Sequence, residues 1–123
     1  MSFNTDVGGQ EQIAVRLTGS SVTDIVDAST EAWYIPWVAF GEVGGTTPAL
    51  TLELRDTVNS VTYYLSADGY CWVAKAMTAL QAVAIDDLVV PKGWKLRATS
   101  NHASGNVHAT GTKVRRISIG AAR

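Results

Sequence analysis

The residues of this chain that could perform chemistry are few, and their spacing does not favour it. There are two histidines, His102 and His108, and one cysteine, Cys71. A cysteine nucleophile needs a nearby base to generate its thiolate. Neither histidine is near Cys71 in sequence. Cys71 also lies in an apolar strand pattern, so it reads as a small buried hydrophobe. No Gly-x-Ser-x-Gly elbow is present. The histidines stand six residues apart across a loop containing Gly105, with Asn101 and Asn106 beside them. That is not a zinc-ligand spacing, and there is no second thiolate. Asp86-Asp87 and the Asp24/Asp27 pair lack the ligand pattern of a calcium loop, and read as carboxylates that solvate turns. The expectation is therefore a protein with no catalytic residue, no metal and no cofactor.

Ring-bearing residues are the other candidates. The chain has four tryptophans and four tyrosines. Trp33, Tyr34, Trp37, Tyr63, Tyr64, Tyr70, Trp72 and Trp94 could form a platform for a sugar, because exposed rings stack on sugar faces. They could equally anchor a protein interface, where aromatic residues are enriched. Tyr63 and Tyr64 are adjacent in a strand pattern, so one must point outward unless both faces are covered. The same holds for Trp33 and Tyr34. The interface reading is preferred, with Phe3, Trp33, Tyr34, Trp37 and Tyr64 as its apolar anchors. Arg115 and Arg116, in a small basic tail, are its charged candidates. Lys92, Lys95 and Arg97 form a second basic group. Neither group is interleaved with exposed rings as RNA-recognition surfaces are, so no nucleic-acid partner is expected.

The elements that would position these groups are strands. From Trp94 to Thr99 the chain alternates, with Trp94, Leu96 and Ala98 on one face and Lys95, Arg97 and Thr99 on the other. Such a period of two marks a half-buried strand. Pro91-Lys92-Gly93 is the turn before it. Ile13, Val15 and Leu17 alternate in the same way, as do Leu50, Leu52 and Leu54. The apolar run around Trp33, Tyr34, Trp37 and Phe40 contains Pro36, which points to an edge, a bulge or a break. Asp56 to Ser60 turns into a probable partner strand from Val61, and Asp68-Gly69 marks the next turn. Cys71 to Met77 and Leu80 to Ile85 are further apolar stretches, with a helical turn near Thr78 as the alternative. Asp86-Asp87 precedes the strand at Leu88. About nine strands with regularly spaced turns predict an all-β fold, an antiparallel β-sandwich of jelly-roll-like form. Residues 1–12 read as a flexible N-terminal arm and 13–123 as the sandwich domain. Leu50, Leu52, Leu54, Val73, Trp94 and Leu96 are expected between the sheets. On that reading Leu52→Asp stops folding, whereas Glu53→Ala barely matters.

Bulk properties narrow the classes. A chain of 123 residues with 46% hydrophobic and 17% charged residues can hold one packed core. The charged fraction is below the usual level of about 25%, which suits a surface partly spent on protein neighbours. Net charge is −1, so no bulk attraction draws the protein to nucleic acid or membrane. Residues 1–62 hold eight acids and two bases, and 63–123 hold three acids and eight bases. Interleaved strands would mix these charges; segregated halves would make two poles. The polar start of the chain has no basic and apolar run of a secretory leader. No stretch is long and apolar enough for a membrane span.

Four segments together resemble the small β-sandwich virion proteins of tailed bacteriophages. They are the Leu52/Leu54 strand ending at Asp56, the return strand at 62–65, the Leu88-x-x-Pro91-x-Gly93-x-x-Leu96-Arg97 run, and the strand from Val107 to Gly111. Trp94 and the Arg115-Arg116 tail depart from the usual pattern. The resemblance implies a non-enzymatic capsid decoration (cement), head-fibre or tail accessory protein. It implies self-association, with a homotrimer expected, and binding to the major capsid protein or other virion proteins. The expected location is the virion, assembled in the host cytoplasm. The alternative is a tail or fibre module that binds a receptor or glycan.

Overall fold

The computed structural model describes residues 10–101 and 107–115. Eleven strands are present among them: β1 (Gln10–Arg16), β2 (Thr23–Asp27), β3 (Trp33–Glu42), β4 (Ala49–Asp56), β5 (Val61–Tyr64), β6 (Ser66–Ala67), β7 (Tyr70–Cys71), β8 (Lys75–Ala76), β9 (Ala82–Val90), β10 (Trp94–Ser100) and β11 (Val107–Arg115). One sheet has the order β1-β11-β3-β9, and the other β2-β10-β4-β5, with β8 also paired to β4. All pairings are antiparallel. The chain passes between the two large sheets at most connections, apart from the β4–β5 hairpin and the separate two-stranded β6–β7 sheet. The four-stranded and five-stranded antiparallel sheets form a β-sandwich.

Alternation explains the core. Leu50, Leu52, Leu96 and Ala98 from one sheet and Ile35, Phe40, Val83 and Val90 from the other are all fully buried. Each large apolar side chain there contributes roughly 1.5–3 kcal/mol. The Pro91–Trp94 turn closes with the Trp94 amide donating to the Pro91 carbonyl at 3.0 Å. Gly93 takes φ +90° in that turn, a conformation that an L side chain rarely adopts, and a Cβ there would lie 3.0 Å from Val58 Cγ2.

Several expectations need correcting. Val73 is exposed, and its neighbour Trp72 is buried in its place, with the indole Nε1 donating to the Ala67 carbonyl at 2.9 Å. The short irregular strands β6–β8 break the alternation that a continuous strand would have kept. Cys71 is exposed for the same reason. Asp86-Asp87 does not precede a new strand, because β9 runs through both; Asp87 takes φ +53° and bends the strand without ending it. No helix forms near Thr78: Leu80 takes φ +62°, and the Gln81 side chain caps the Thr78 amide at 2.7 Å. β1 starts at Gln10, so pairing reaches three residues into the segment read as an arm. The rest of that segment lies outside the described residues.

Glu53 is the correction with the largest energetic consequence. It sits on the outer face of β4 yet is only 7% exposed, and Arg97 Nη2 lies 2.6 Å from its Oε1. A buried carboxylate with one cationic partner cannot be removed cheaply, since the guanidinium would be left half-buried and unanswered. Glu53→Ala is therefore a damaging change in this fold.

Candidate functional site

Two surfaces expose rings, and they differ in construction. The first lies on the outer face of the β1-β11-β3-β9 sheet. In β3 the buried positions are Trp33 and Ile35, then Val38, Phe40 and Glu42. The alternation slips by one at Pro36-Trp37. Proline supplies no ladder N–H, so the strand bulges there. The β11–β3 register shifts at the same level, between Thr112 and Val114. The slip turns Trp37 outward, where it is 42% exposed. Gly111, opposite Val38, is required by this geometry: a Cβ there would stand 2.3 Å from the Trp37 carbonyl oxygen.

Trp37 stands at a shallow depression of about 480 Å³, lined also by Gln10, Glu11, Gln12, Thr110, Gly111 and Thr112. Strand register places Gln12, Thr112, Trp37 and Asp86 in one row across the four strands. The adjacent row is Ala14, Thr110, Ala39 and Ala84. The rows beside Trp37 are therefore low and carry one charge, Asp86; farther along the same face Tyr34 stands opposite the exposed Val89.

The second surface follows the β4–β5 turn and the β5–β7 edge. Val58, Val61, Tyr63, Tyr64, Tyr70 and Val73 are all exposed there, six of the eleven large apolar residues exposed among the described residues. The Tyr63 ring stacks on Trp94 at 5.5 Å between centroids and 2° between planes. Lys75 Nζ sits 4.1 Å from the Tyr70 ring centroid, a cation–π contact. Asp56 anchors the turn that carries Val58, accepting from the amides of Val58 (3.0 Å) and Asn59 (3.1 Å) and from Asn59 Nδ2 (2.9 Å). Asn59's side chain first, then these amides against the cost of burial, lower the Asp56 carboxyl below its usual range. Tyr64 stands opposite Glu53 on the outer face and Tyr63 opposite Leu54 on the other, so this edge exposes apolar groups on both sides, as protein contact surfaces do.

Between these surfaces lies a face with its charges answered. On the outside of the second sheet, Lys95 pairs with Asp24 at 3.0 Å and Asp27 at 3.9 Å, and Arg97 pairs with Glu53. On the first sheet Arg115 Nε lies 2.9 Å from Glu31, and Lys113 lies 3.8 Å from Glu11. Acids from the first half of the chain thus meet bases from the second, and the charges mix as interleaving requires. Glu42 serves as a loop pin. Its buried carboxylate accepts from the amides of Gly44 (2.7 Å), Gly45 (2.8 Å) and Leu80 (2.9 Å) and from Thr46 Oγ1 (3.0 Å). Burial alone would push this carboxyl up, but the donors outweigh it and hold it at about 2.

The candidate residues separate accordingly. Trp33 is 5% exposed, covered by Lys113 at 4.4 Å over its ring, and offers an interface little area. Tyr34 is half-buried and its hydroxyl donates to Asp87, which first among the causes raises its pKa. Trp37 and Tyr64 are exposed, on different surfaces. Arg115 is occupied by Glu31. Phe3, Arg116 and His102 lie outside the described residues. Val58 and Val61, and the amide and hydroxyl frame around Trp37, were missed by sequence reasoning; Tyr63 and Tyr70 were ring candidates not chosen as anchors, and Val73 was placed in the core. The Tyr63-Tyr64 doublet was the one available signal for the β5–β7 edge. Among the described residues no cluster of His, Cys, Asp and Glu could hold a metal ion.

No protein-family model matches the sequence, and no curated protein matches it. Solved structures do. A pentameric capsid protein from metagenomic phage sequences aligns at TM-score 0.42 and 21% identity over 86% of this chain, which spans 59% of that protein's length. The cyanophage Pam1 capsid aligns at TM-score 0.39 and 16% identity, over 89% of this chain and 84% of that one. The CBM22-1–GH10 modules of a Clostridium thermocellum endo-1,4-β-D-xylanase, complexed with xylohexaose, align at TM-score 0.38 and 14% identity, over 90% of this chain and 25% of that one. Likeness at this level assigns no function.

Proposed function

We propose that this chain is a non-enzymatic structural protein of a phage particle, and specifically a capsid decoration (cement) subunit. It binds the outer shell as an oligomer, a homotrimer, with the major capsid protein as its partner. The observation that carries the reading is the β5–β7 edge. Six large apolar side chains are exposed there within residues 58–73. Such a surface is stable only when a protein neighbour covers it, and aromatic anchors are typical of the covered core of an interface. Low charge and the sequence likeness to virion β-sandwich proteins support the same reading. A shell also multiplies a modest contact by repetition.

The test is addition of the purified protein to undecorated shells, imaged by electron cryo-microscopy. The reading expects regular density on the outer surface, with the β5–β7 edge at a subunit joint. Bare shells at saturating protein would overturn it.

A further inference from the structure

The Trp37 depression is a second binding site, on a different face from the edge used above. We propose that it binds a neutral oligosaccharide. This inference does not rest on the virion reading.

Three observations lead to this ligand class. First, the Pro36 bulge turns an indole to the wet face that simple alternation from Trp33 and Ile35 would have placed inside. Trp37 keeps 42% of its surface in water, apolar area that a bound ligand can cover. Second, most of its neighbours are polar and neutral, with Glu11 and Asp86 the acidic exceptions. Gln10, Gln12, Thr110 and Thr112 supply amides and hydroxyls, each able to donate and to accept. A sugar presents hydroxyls of the same dual character around an apolar C–H face. The electron-rich face of the indole attracts those C–H groups. Third, the charge is wrong for other ligands. Among the described residues no lysine or arginine lines the depression. Its one lining carboxylate, Glu11, already has Lys113 and Arg115 at 3.8 Å each. An anion finds no cation there, and a cation finds no free carboxylate among the lining residues.

Size separates a sugar from a protein partner. The row from Gln12 through Thr112 and Trp37 to Asp86 crosses four strands, about 14 Å at the usual strand spacing. That length suits a short oligosaccharide lying across the strands, on a floor kept low by Ala14, Ala39 and Ala84. The whole face measures roughly 450–600 Å² in projection by the same spacings, below the ~800 Å² per partner of a stable protein interface. One ring in a polar frame also lacks the clustered apolar anchors such an interface uses.

The experiment is calorimetric titration of the full chain with xylohexaose, cellohexaose and maltohexaose, and with a heparin-derived hexasaccharide as the anionic comparison. At least one neutral hexasaccharide binds, and the heparin fragment does not. Trp37→Ala weakens the binding by roughly tenfold or more, Trp37→Phe restores part of it, and Tyr64→Ser leaves it unchanged. Thermal melts of each variant show that the fold is kept, as expected for an exposed position. Absence of binding to all three neutral sugars at millimolar concentration overturns the proposal. So does binding only to the heparin fragment, or binding that survives Trp37→Ala. Loss of shell decoration without loss of sugar binding would count against the virion reading alone.

Discussion

The β5–β7 edge and the Trp37 face both leave rings in water, but only the edge groups them. Tyr63 stacks on Trp94, with Val58 and Val61 beside them and Tyr70 under Lys75. On the other face, Trp37 stands alone in a row with Gln12, Thr112 and Asp86. Grouped rings remove a large continuous apolar area from water when a protein covers them. An isolated ring in a frame of amides and hydroxyls suits a ligand that alternates apolar faces with polar rims. Exposure of an aromatic residue is therefore an incomplete description; its neighbours decide what it can hold.

Substitutions can separate the two surfaces, or destroy both. Leu52→Asp has the largest effect. Leu52 is fully buried between the sheets, and a carboxylate there has no partner. No cooperative melt remains by circular dichroism, and both surfaces are lost. Glu53→Ala comes next, at about 2 kcal/mol by chemical denaturation, because Arg97 loses the acceptor 2.6 Å away. Lys95→Ala, which breaks only the exposed pairs with Asp24 and Asp27, costs under about 1 kcal/mol in the same assay. Gly111→Ala sharpens the comparison from the other side. Its Cβ meets the Trp37 carbonyl, so β3 must shift; stability falls by roughly 1–3 kcal/mol and the Trp37 depression changes shape. The β5–β7 edge, on β5 and the separate β6–β7 pair, is untouched, so under the proposed function the oligomer persists, read by light scattering.

The effect that depends on pH belongs to Glu42. Its folded carboxyl is held at about 2, against an ordinary value of 4.5. The stabilisation is therefore complete above the unfolded value and is lost as pH falls through the folded one. Thermal melts should decline between those two values, and Glu42→Gln should flatten that part of the profile. A wild-type profile with no decline across this window contradicts the loop-pin assignment.

The regular half of the molecule was legible in the sequence. Leu50, Leu52 and Leu96 alternate strictly, and each is buried where its phase places it. Pro36 pointed to an edge, a bulge or a break, and the structure has the bulge. The irregular half was hidden for a physical reason. Between Leu65 and Gln81 three two-residue strands and left-handed residues at Asp68, Ala74 and Leu80 reset the phase repeatedly. No periodic rule can then assign Trp72 inward and Val73 outward. Glu53 escaped because a side chain on the outer face is covered by its cross-strand partner Arg97, a pairing fixed by register. The Trp37 frame comes from β1 and β11, far apart in sequence, so its amides and hydroxyls became neighbours only in the fold.

The most direct test of the division of labour between the two surfaces is light scattering on the wild type, a Tyr63→Ser/Tyr64→Arg double variant and Trp37→Ala, at matched concentration. The account predicts an oligomer for the wild type and for Trp37→Ala, and a folded monomer for the double variant. A monomeric wild type, or dissociation caused by Trp37→Ala with the double variant still assembled, would contradict it.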